Sequence, residues 1–361
     1  MTSVRDAAAA PQWSPARGDV TLPPAATYYT VYDRRFFVGT VLLLNSLRVS
    51  GNSGAFVVLD TGLEPGQRAQ LDPHAQIVSA PRRIEGSPCM MKPYPYLVGA
   101  SGTIVVIDSD IIVTAPLDGV LEHARAGKIV ACPAWTEQGR TRWFAEWEDK
   151  LELRAPLRRE EWFHDGFVVL ATEHWPQLLE RWWETCARVP PEQVFIDGMP
   201  FNAGDTDALN ALLMSEIPRD ALHLLDRGDE AFGGDIEIED VHTLRCTLHG
   251  RPLKLVHYLD SPKPWEPKGW LRRGATAYAR MMHRLLFAPD VPLRLDPGCV
   301  QFWLRPDARG RVAFAAATAA NGVLGWSVRR VTDPVRTRLR DGRRRLVGGG
   351  ARPRVESKPV R

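Results

Sequence analysis

The chain has 361 residues, of which 44% are hydrophobic and 25% charged. These are the proportions of a soluble globular protein, long enough for one large domain with an appendage or for two domains. No run reaches the ~20 apolar residues that a membrane-spanning helix needs. The five cysteines (89, 132, 186, 246 and 299) form no Cys-x-x-Cys pair, which argues against a zinc ribbon or a disulfide frame and for reduced residues in a cytoplasmic protein. The net charge of +3 is unevenly spread: residues 329–361 carry eleven Arg and one Lys against three acids, a local +9, which leaves −6 on the body. A mildly acidic body offers no nucleic-acid groove.

In chain order, residues 1–26 are rich in Ala and Pro, lack a signal-peptide layout and are expected to be a loose leader. Tyr28 to Val31 reads as a strand. Phe37 to Val49 has helical apolar spacing through Phe37, Val41, Leu44 and Leu47. Ala55 to Leu59 is a second strand, Glu64 to Leu71 a short helix and Gln76 to Val78 a third strand. Pro88 to Val98 has helical character interrupted by Pro93 and Pro95. Thr103 to Ile107 is a strand that ends in acids. Leu117 to Arg125 reads as a helix, Ile129 to Cys132 and Phe167 to Leu170 as strands, and Trp175 to Arg188 as an amphipathic helix. Asp207 to Glu216 is a helix with Thr206 or Asp205 near its cap. Leu255 to Tyr258 is a further short strand and Gly274 to Phe287 a helix. Strands alternating with helices imply a Rossmann-like α/β fold, its central sheet mostly parallel and flanked by helices. The expected layout is a leader (1–26), a catalytic domain (27–290), a C-terminal helical extension (291–328) and a basic, disordered tail (329–361). Six Trp between 143 and 183 are expected mostly in the core.

Asp108-Ser109-Asp110 lies between Ile104-Val105-Val106-Ile107 and Ile111-Ile112-Val113. The pattern describes a buried strand that surfaces, shows two carboxylates and returns. Open α/β sheets bind ligands at the carboxyl ends of their strands. Two neighbouring carboxylates repel unless a cation sits between them, and a hard divalent ion with a diphosphate is the natural occupant. The plain alternative is a turn, since acids after a strand are ordinary turn formers. His257, at a strand end, reads equally as a core histidine, and Lys92 as a snorkelling lysine.

Four segments follow one another: Asp108-Ser109-Asp110; His164-Asp165-Gly166; Asp205-Thr206-Asp207-Ala208-Leu209-Asn210; and His257 through Lys263-Pro264-Trp265. They are preceded by Tyr32-Asp33 and by Asn45-Ser46-Leu47. From about Tyr28 to Trp265 this ordered set resembles the retaining glycosyltransferases of family eight, the group of glycogenin and the bacterial lipooligosaccharide galactosyltransferases. The resemblance implies a GT-A fold, a UDP-sugar donor, an acceptor hydroxyl on a carbohydrate or another molecule, hexosyl transfer with retention, and manganese (or magnesium) held by Asp108, Asp110 and His257. It assigns donor contacts to Tyr32, Asp33, Lys92, Asp108, Ser109, Gly166 and Lys263, with Lys263 on the diphosphate. Asp205, Asp207 and His164 are placed beside the transferred sugar as the catalytic group. The basic tail is similar to membrane-attaching extensions of bacterial members, which implies peripheral contact at the inner face of the plasma membrane.

This chain departs from the family pattern at several places. Phe36 stands where the family has Tyr, His164 where it has Asn, Asp165 where it has a small residue, Thr206 where it has Gln, and Asp260 where it has Gly. Two rival readings stay open on these residues. One is a UDP-sugar-binding relative that no longer transfers. The other is a sugar-nucleotide-synthesising nucleotidyltransferase, although Tyr32-Asp33-Arg34-Arg35 lacks the glycines that such a phosphate loop needs.

Overall fold

The computed structural model describes residues 25–79, 83–134, 140–232, 236–259, 261–266, 275–316 and 319; thirteen strands and seven α-helices are delimited among them, and residues 308–316 are helical as well. The strands are β1 (Ala26–Tyr32), β2 (Gly54–Asp60), β3 (Gln76–Val78), β4 (Thr103–Ile107), β5 (Ile111–Val113), β6 (Ile129–Pro133), β7 (Phe163–Ala171), β8 (Leu222–Leu224), β9 (Glu230–Ala231), β10 (Ile236–Asp240), β11 (Arg245–Leu248), β12 (Arg251–Pro252) and β13 (Leu255–His257). The helices are α1 (Phe37–Val49), α2 (Pro65–Leu71), α3 (Asp118–Arg125), α4 (Phe144–Leu151), α5 (Leu178–Arg188), α6 (Asp205–Glu216) and α7 (Ala275–Phe287). Residue 260, most of the leader and the whole basic tail fall outside the described residues. β1 takes in Ala26, the last residue assigned to the leader, which is buried.

The central sheet has the order β3-β2-β1-β4-β7-β6-β8. Four of its six pairings are parallel, and only β7 runs against its neighbours β4 and β6. All five residues of β4 are buried, because a strand covered on both faces has no polar side to show. Two apolar cores lie on the two faces, one containing α1 and α7 side chains and the other those of α5 and α6. Trp147, Trp162, Trp175, Trp182 and Trp183 are buried in the second core, as expected for most of the tryptophan cluster.

The reversal of β7 decides what the sheet can do. It brings the start of β7 to the edge where β4 ends, with Phe167 opposite Ile107 and the Asp108 N–H donating to the Gly166 carbonyl at 2.8 Å. The apolar run alone indicates a strand from Phe167. Pairing with β6 extends it back to Phe163 through an irregularity at Ala131/Cys132.

α1 is buried nearly all round and not on one stripe only. The Asn45 amide supports this by donating to the carbonyls of Leu285 and Leu293, both at 2.7 Å, and accepting from the Leu293 N–H at 3.0 Å. Ser46 Oγ accepts from the Val113 N–H at 3.0 Å. Each buried polar group is thus partnered, as burial requires. α1 is thereby fixed to α7 and to β5, and β5 belongs to a second sheet of order β5-β13-β9. β10, β11 and β12 form a third, small antiparallel sheet. β10 (Ile236-Glu237-Ile238-Glu239-Asp240) alternates half-buried and exposed residues, whereas β11 and β12 are too short to show a period.

α5 and α6 are joined by a buried ion pair: Arg181 donates to the Glu216 carboxylate through Nη2 at 2.6 Å and Nε at 3.2 Å. Breaking such a pair leaves an uncompensated buried charge. Glu216→Ala is expected to lower stability by about 3 kcal/mol in urea unfolding, and a change within error would show that Glu184 alone satisfies Arg181.

Candidate metal centre

β4 ends at Ile107, and the next three residues turn the chain into β5. The turn is anchored by its backbone. The Asp110 carbonyl accepts from the Tyr258 N–H at 3.2 Å and from the Tyr278 hydroxyl at 3.0 Å. Both carboxylates are thereby held at the sheet edge, with Asp108 partly open (24% side-chain exposure) and Asp110 nearly closed (10%).

β13 pairs antiparallel with β5, setting His257 opposite Ile111. This register delivers an imidazole from far along the chain to the two acids. His257 Nε2 lies 3.1 Å from Asp110 Oδ1 and 4.0 Å from Asp108 Oδ2. The ring is buried, and Nε2 makes no well-aligned hydrogen bond. Nδ1 is 2.9 Å from Glu230 Oε1, on β9, the other neighbour of β13.

These residues fit a divalent cation. Ligand atoms of Asp108, Asp110 and His257 lie within 4.8 Å of one another. An imidazole with one nitrogen on a carboxylate and the other facing two further acids is the arrangement in which an outer carboxylate orients a ligating histidine. Two carboxylate oxygens and one imidazole suit manganese or magnesium with phosphate oxygens completing the shell.

Burial would lower the His257 pKa, but Asp110 and Glu230 outweigh it and raise it to about 10. Lys92 is buried, and its Nζ is 2.9 Å from Asp108 Oδ1, 3.2 Å from Asp165 Oδ2 and 3.0 Å from Asp205 Oδ2. Burial disfavours its charge, yet Asp108, Asp165 and Asp205 together hold its pKa well above the ordinary lysine value. The Asp205 carboxyl is pushed well above the usual carboxylate range by burial and by Asp165 beside it. Burial also raises Asp165, but Lys92 first and the bond from Asp205 next bring it below that range. The two carboxyls thus form one coupled pair with Lys92 between them. Lys263 Nζ donates to Asp110 Oδ2 at 2.6 Å and to the Tyr258 carbonyl at 2.7 Å. Five carboxylates (Asp108, Asp110, Asp165, Asp205 and Glu230) thus face two ammonium groups. A proton on His257 offsets part of the excess, and a divalent cation would displace it.

The structure brings Lys92, Asp108, Asp110, Asp165, Asp205, His257 and Lys263 together. The other expected site residues make contacts of their own. Asp207 is fully buried, and its Oδ2 accepts from the Ala203 N–H at 2.7 Å, so its carboxylate serves the loop before α6. The cap of α6 is Gly204, at φ 51°, and neither Thr206 nor Asp205, both of which lie inside the helix. Thr206 Oγ1 donates to Asp165 Oδ1 at 2.6 Å. The Tyr32 ring is in the core, and Asp33 caps a short 3₁₀ turn by accepting from Arg35 N–H at 2.8 Å. The Ser109 side chain is buried, and its carbonyl would lie 2.6 Å from a Cβ added at Gly39. His164 Nδ1 accepts from the Gly166 N–H at 3.0 Å, and its ring stands edge-on to His257 at 5.0 Å. A Cβ at Gly166 would approach both imidazoles to 2.7 Å, so this glycine makes room for two histidines. Asp260 lies outside the described residues.

Glu230 is the participant that sequence reading missed. It sits in a two-residue strand with no period to read, and only the register of β9 on β13 links it to His257. Glu230→Gln is expected to weaken manganese affinity by about 10- to 100-fold, measured by calorimetry, with unchanged circular dichroism. Full retention of affinity would show that the His257 ring needs no such support.

No family model matches the chain, and no curated protein matches it. Among solved structures it is similar to the WbbM bifunctional glycosyltransferase (14% identity, TM-score 0.48), covering 77% of this chain and 51% of that one, so the chain spans about half that protein's length. It is also similar to the galactosyltransferase LgtC, solved with donor and acceptor sugar analogues (14% identity, TM-score 0.45, 73% of this chain and 98% of that one). A third is the glycosyltransferase GlyE of Streptococcus pneumoniae TIGR4 (14% identity, TM-score 0.47, 71% and 60%). Likenesses of this degree carry no weight for activity; the functional reading rests on the site's own residues.

Proposed function

We propose that this chain is a metal-dependent glycosyltransferase of the GT-A type that moves a hexose from a UDP-sugar to an acceptor hydroxyl with retention. The observation that carries the reading is the convergence of Asp108, Asp110 and a Glu230-oriented His257 at the carboxyl edge of β4. Manganese bound there would neutralise the charge that develops on the leaving diphosphate. Lys263, within reach of Asp110 and on the loop after β13, is positioned to pair with a phosphate once the cation takes Asp110. Lys92 holds Asp108, Asp165 and Asp205 in place and keeps that wall of the site compact.

Asp205 is the group assigned nearest the transferred sugar, with His164 and Asp207 behind it. Retention can run through a covalent intermediate or by attack on the same face that the diphosphate leaves; in the latter, the departing phosphate accepts the acceptor's proton and no side-chain base is needed. The chain's contribution is then positioning and fixed charge.

The test is titration of UDP with and without manganese, followed by proton NMR of the product from UDP-glucose or UDP-galactose. Binding that needs manganese and an α-configured product support the reading. Equal UDP affinity in EDTA, or a β-configured product, overturns the metal or the retaining part respectively. Binding without either hydrolysis or transfer favours the non-transferring relative.

A further inference from the structure

A second feature lies away from the metal centre, at the far end of α7. Tyr278 reaches the Asp110 carbonyl from the first part of this helix. Six residues on, about 9 Å along the axis, Arg284 opens onto a cavity of about 560 Å³. Its walls are the last turns of α7, Val241 just beyond β10, and the helical residues 308–316.

The lining has two characters. Phe287, Phe314, Val241 and Pro306 supply apolar surface, and Arg280, Arg284 and Arg311 supply three guanidinium groups. Arg280 and Arg311 are exposed at the rim, while the Arg284 side chain is only 7% exposed. Arg284 Nη2 donates to Asp290 Oδ2 at 2.6 Å and to the His242 carbonyl at 3.2 Å. Its Nε and Nη1 are buried, with no hydrogen-bond partner among the described residues. A buried charged group is ordinarily satisfied on every donor, because desolvation without a partner is costly. Asp290 is the one acid that pairs with these arginines among the described residues. His283, also in the lining, does not add an acid, and burial, then Arg311, lowers its pKa.

We propose that this cavity binds an anionic amphiphile, its phosphate or carboxylate head paired with Arg280 and Arg311 at the rim over the Arg284 guanidinium, and its alkyl chain along Phe287 and Phe314. The volume falls in the range of small-molecule sites, and an apolar lining with a few convergent polar groups is their usual make-up. A hydrated inorganic anion would leave the aromatic wall unused, and a neutral lipid would leave Arg280 and Arg311 without a counter-charge. This assignment is independent of the sugar-transfer reading, since it uses none of that site's side chains.

Calorimetry on the full chain tests it, with decyl phosphate kept below its micelle concentration as the probe. Decyl glucoside and inorganic phosphate serve as the neutral and headgroup-only arms. Decyl phosphate is expected to bind at one site, at least tenfold more tightly than either control. The rim double variant Arg280→Glu/Arg311→Glu, which removes exposed charge only, is expected to weaken it tenfold or more. Phe314→Ala is expected to weaken decyl phosphate and leave inorganic phosphate unaffected. Arg284→Gln is informative when its circular dichroism matches the parent, and the rim variant decides the matter otherwise. Equal binding of decyl glucoside, equal binding of inorganic phosphate, absence of binding, or an unchanged affinity in the rim variant would each overturn the assignment.

Discussion

Asp110→Ala is expected to abolish manganese-dependent UDP binding while circular dichroism stays that of the parent. Changes to outer carboxylates cost about 10- to 100-fold in metal affinity, so loss of a direct ligand should exceed ~100-fold, or about 2.7 kcal/mol. Asp110 also faces His257 and Lys263, and its carboxylate is held below the usual range by these two cations against the opposing effect of burial. A carboxylate with a lowered pKa contributes stability above its ordinary value and loses it as pH falls through the folded one. The stability gap between parent and variant should therefore be full at pH 7 and shrink toward pH 2. His257 adds a second pH signature. With its pKa at about 10 in the metal-free protein, metal uptake at pH 7 must release a proton, so affinity rises with pH. Calorimetry in two buffers of different ionisation enthalpy reads this directly. Retained manganese-dependent binding in the Ala variant, or no proton release in the parent, would remove Asp110 and His257 from the metal shell.

Lys92→Met should have the largest effect on stability. One ammonium stands between three carboxyls, all of them within 3.2 Å. Removing one partner of a buried charge cluster typically costs about 3–5 kcal/mol. Lys92 has a raised pKa, so its contribution is complete at any pH below the ordinary lysine value and is lost only in strong alkali. In the variant, the three carboxyls have no cation and bind protons more tightly folded than unfolded. That adds stability at low pH which disappears as pH rises past the ordinary carboxylate value. Urea unfolding should thus show a deficit of about 4 kcal/mol at pH 8 that narrows at pH 5. A pH-independent deficit would mean that packing of the lysine stem, and not its charge, is what the site uses. Lys92→Arg is the companion variant, since a guanidinium restores the charge in a wider shape and should recover only part of the loss.

Much of the architecture was readable from residue patterns. β4 and the helix bounds of α1 are set by runs and spacings that have one solution, and the Pro-interrupted stretch at 88–98 resolves into two 3₁₀ turns as its prolines require. The two aspartates and His257 were picked out as types and in order. Asp207 shows the limit of that reading: two acids at the head of a helix look alike in sequence, yet Asp205 faces Lys92 and Asp207 turns back to Ala203. His164 shows another, because its ring stands edge-on to His257 at 5.0 Å, a neighbour 93 positions away in the chain.

The amino-acid sequence by itself determined the α/β alternation, the buried strand that surfaces as Asp108-Ser109-Asp110, and the residue types able to hold a cation. Those are local properties, fixed by side-chain periodicity and chemistry within a few residues. The reversal of β7, the pairing of β5 with β13, the placement of Glu230 behind His257 and the convergence of three acids on Lys92 were decided only by the tertiary structure. Each depends on which distant segments share a register, and pairing across 27 to 149 positions (Glu230 to His257, Asp108 to His257) is settled by the packing of whole layers and leaves no short-range trace in the chain.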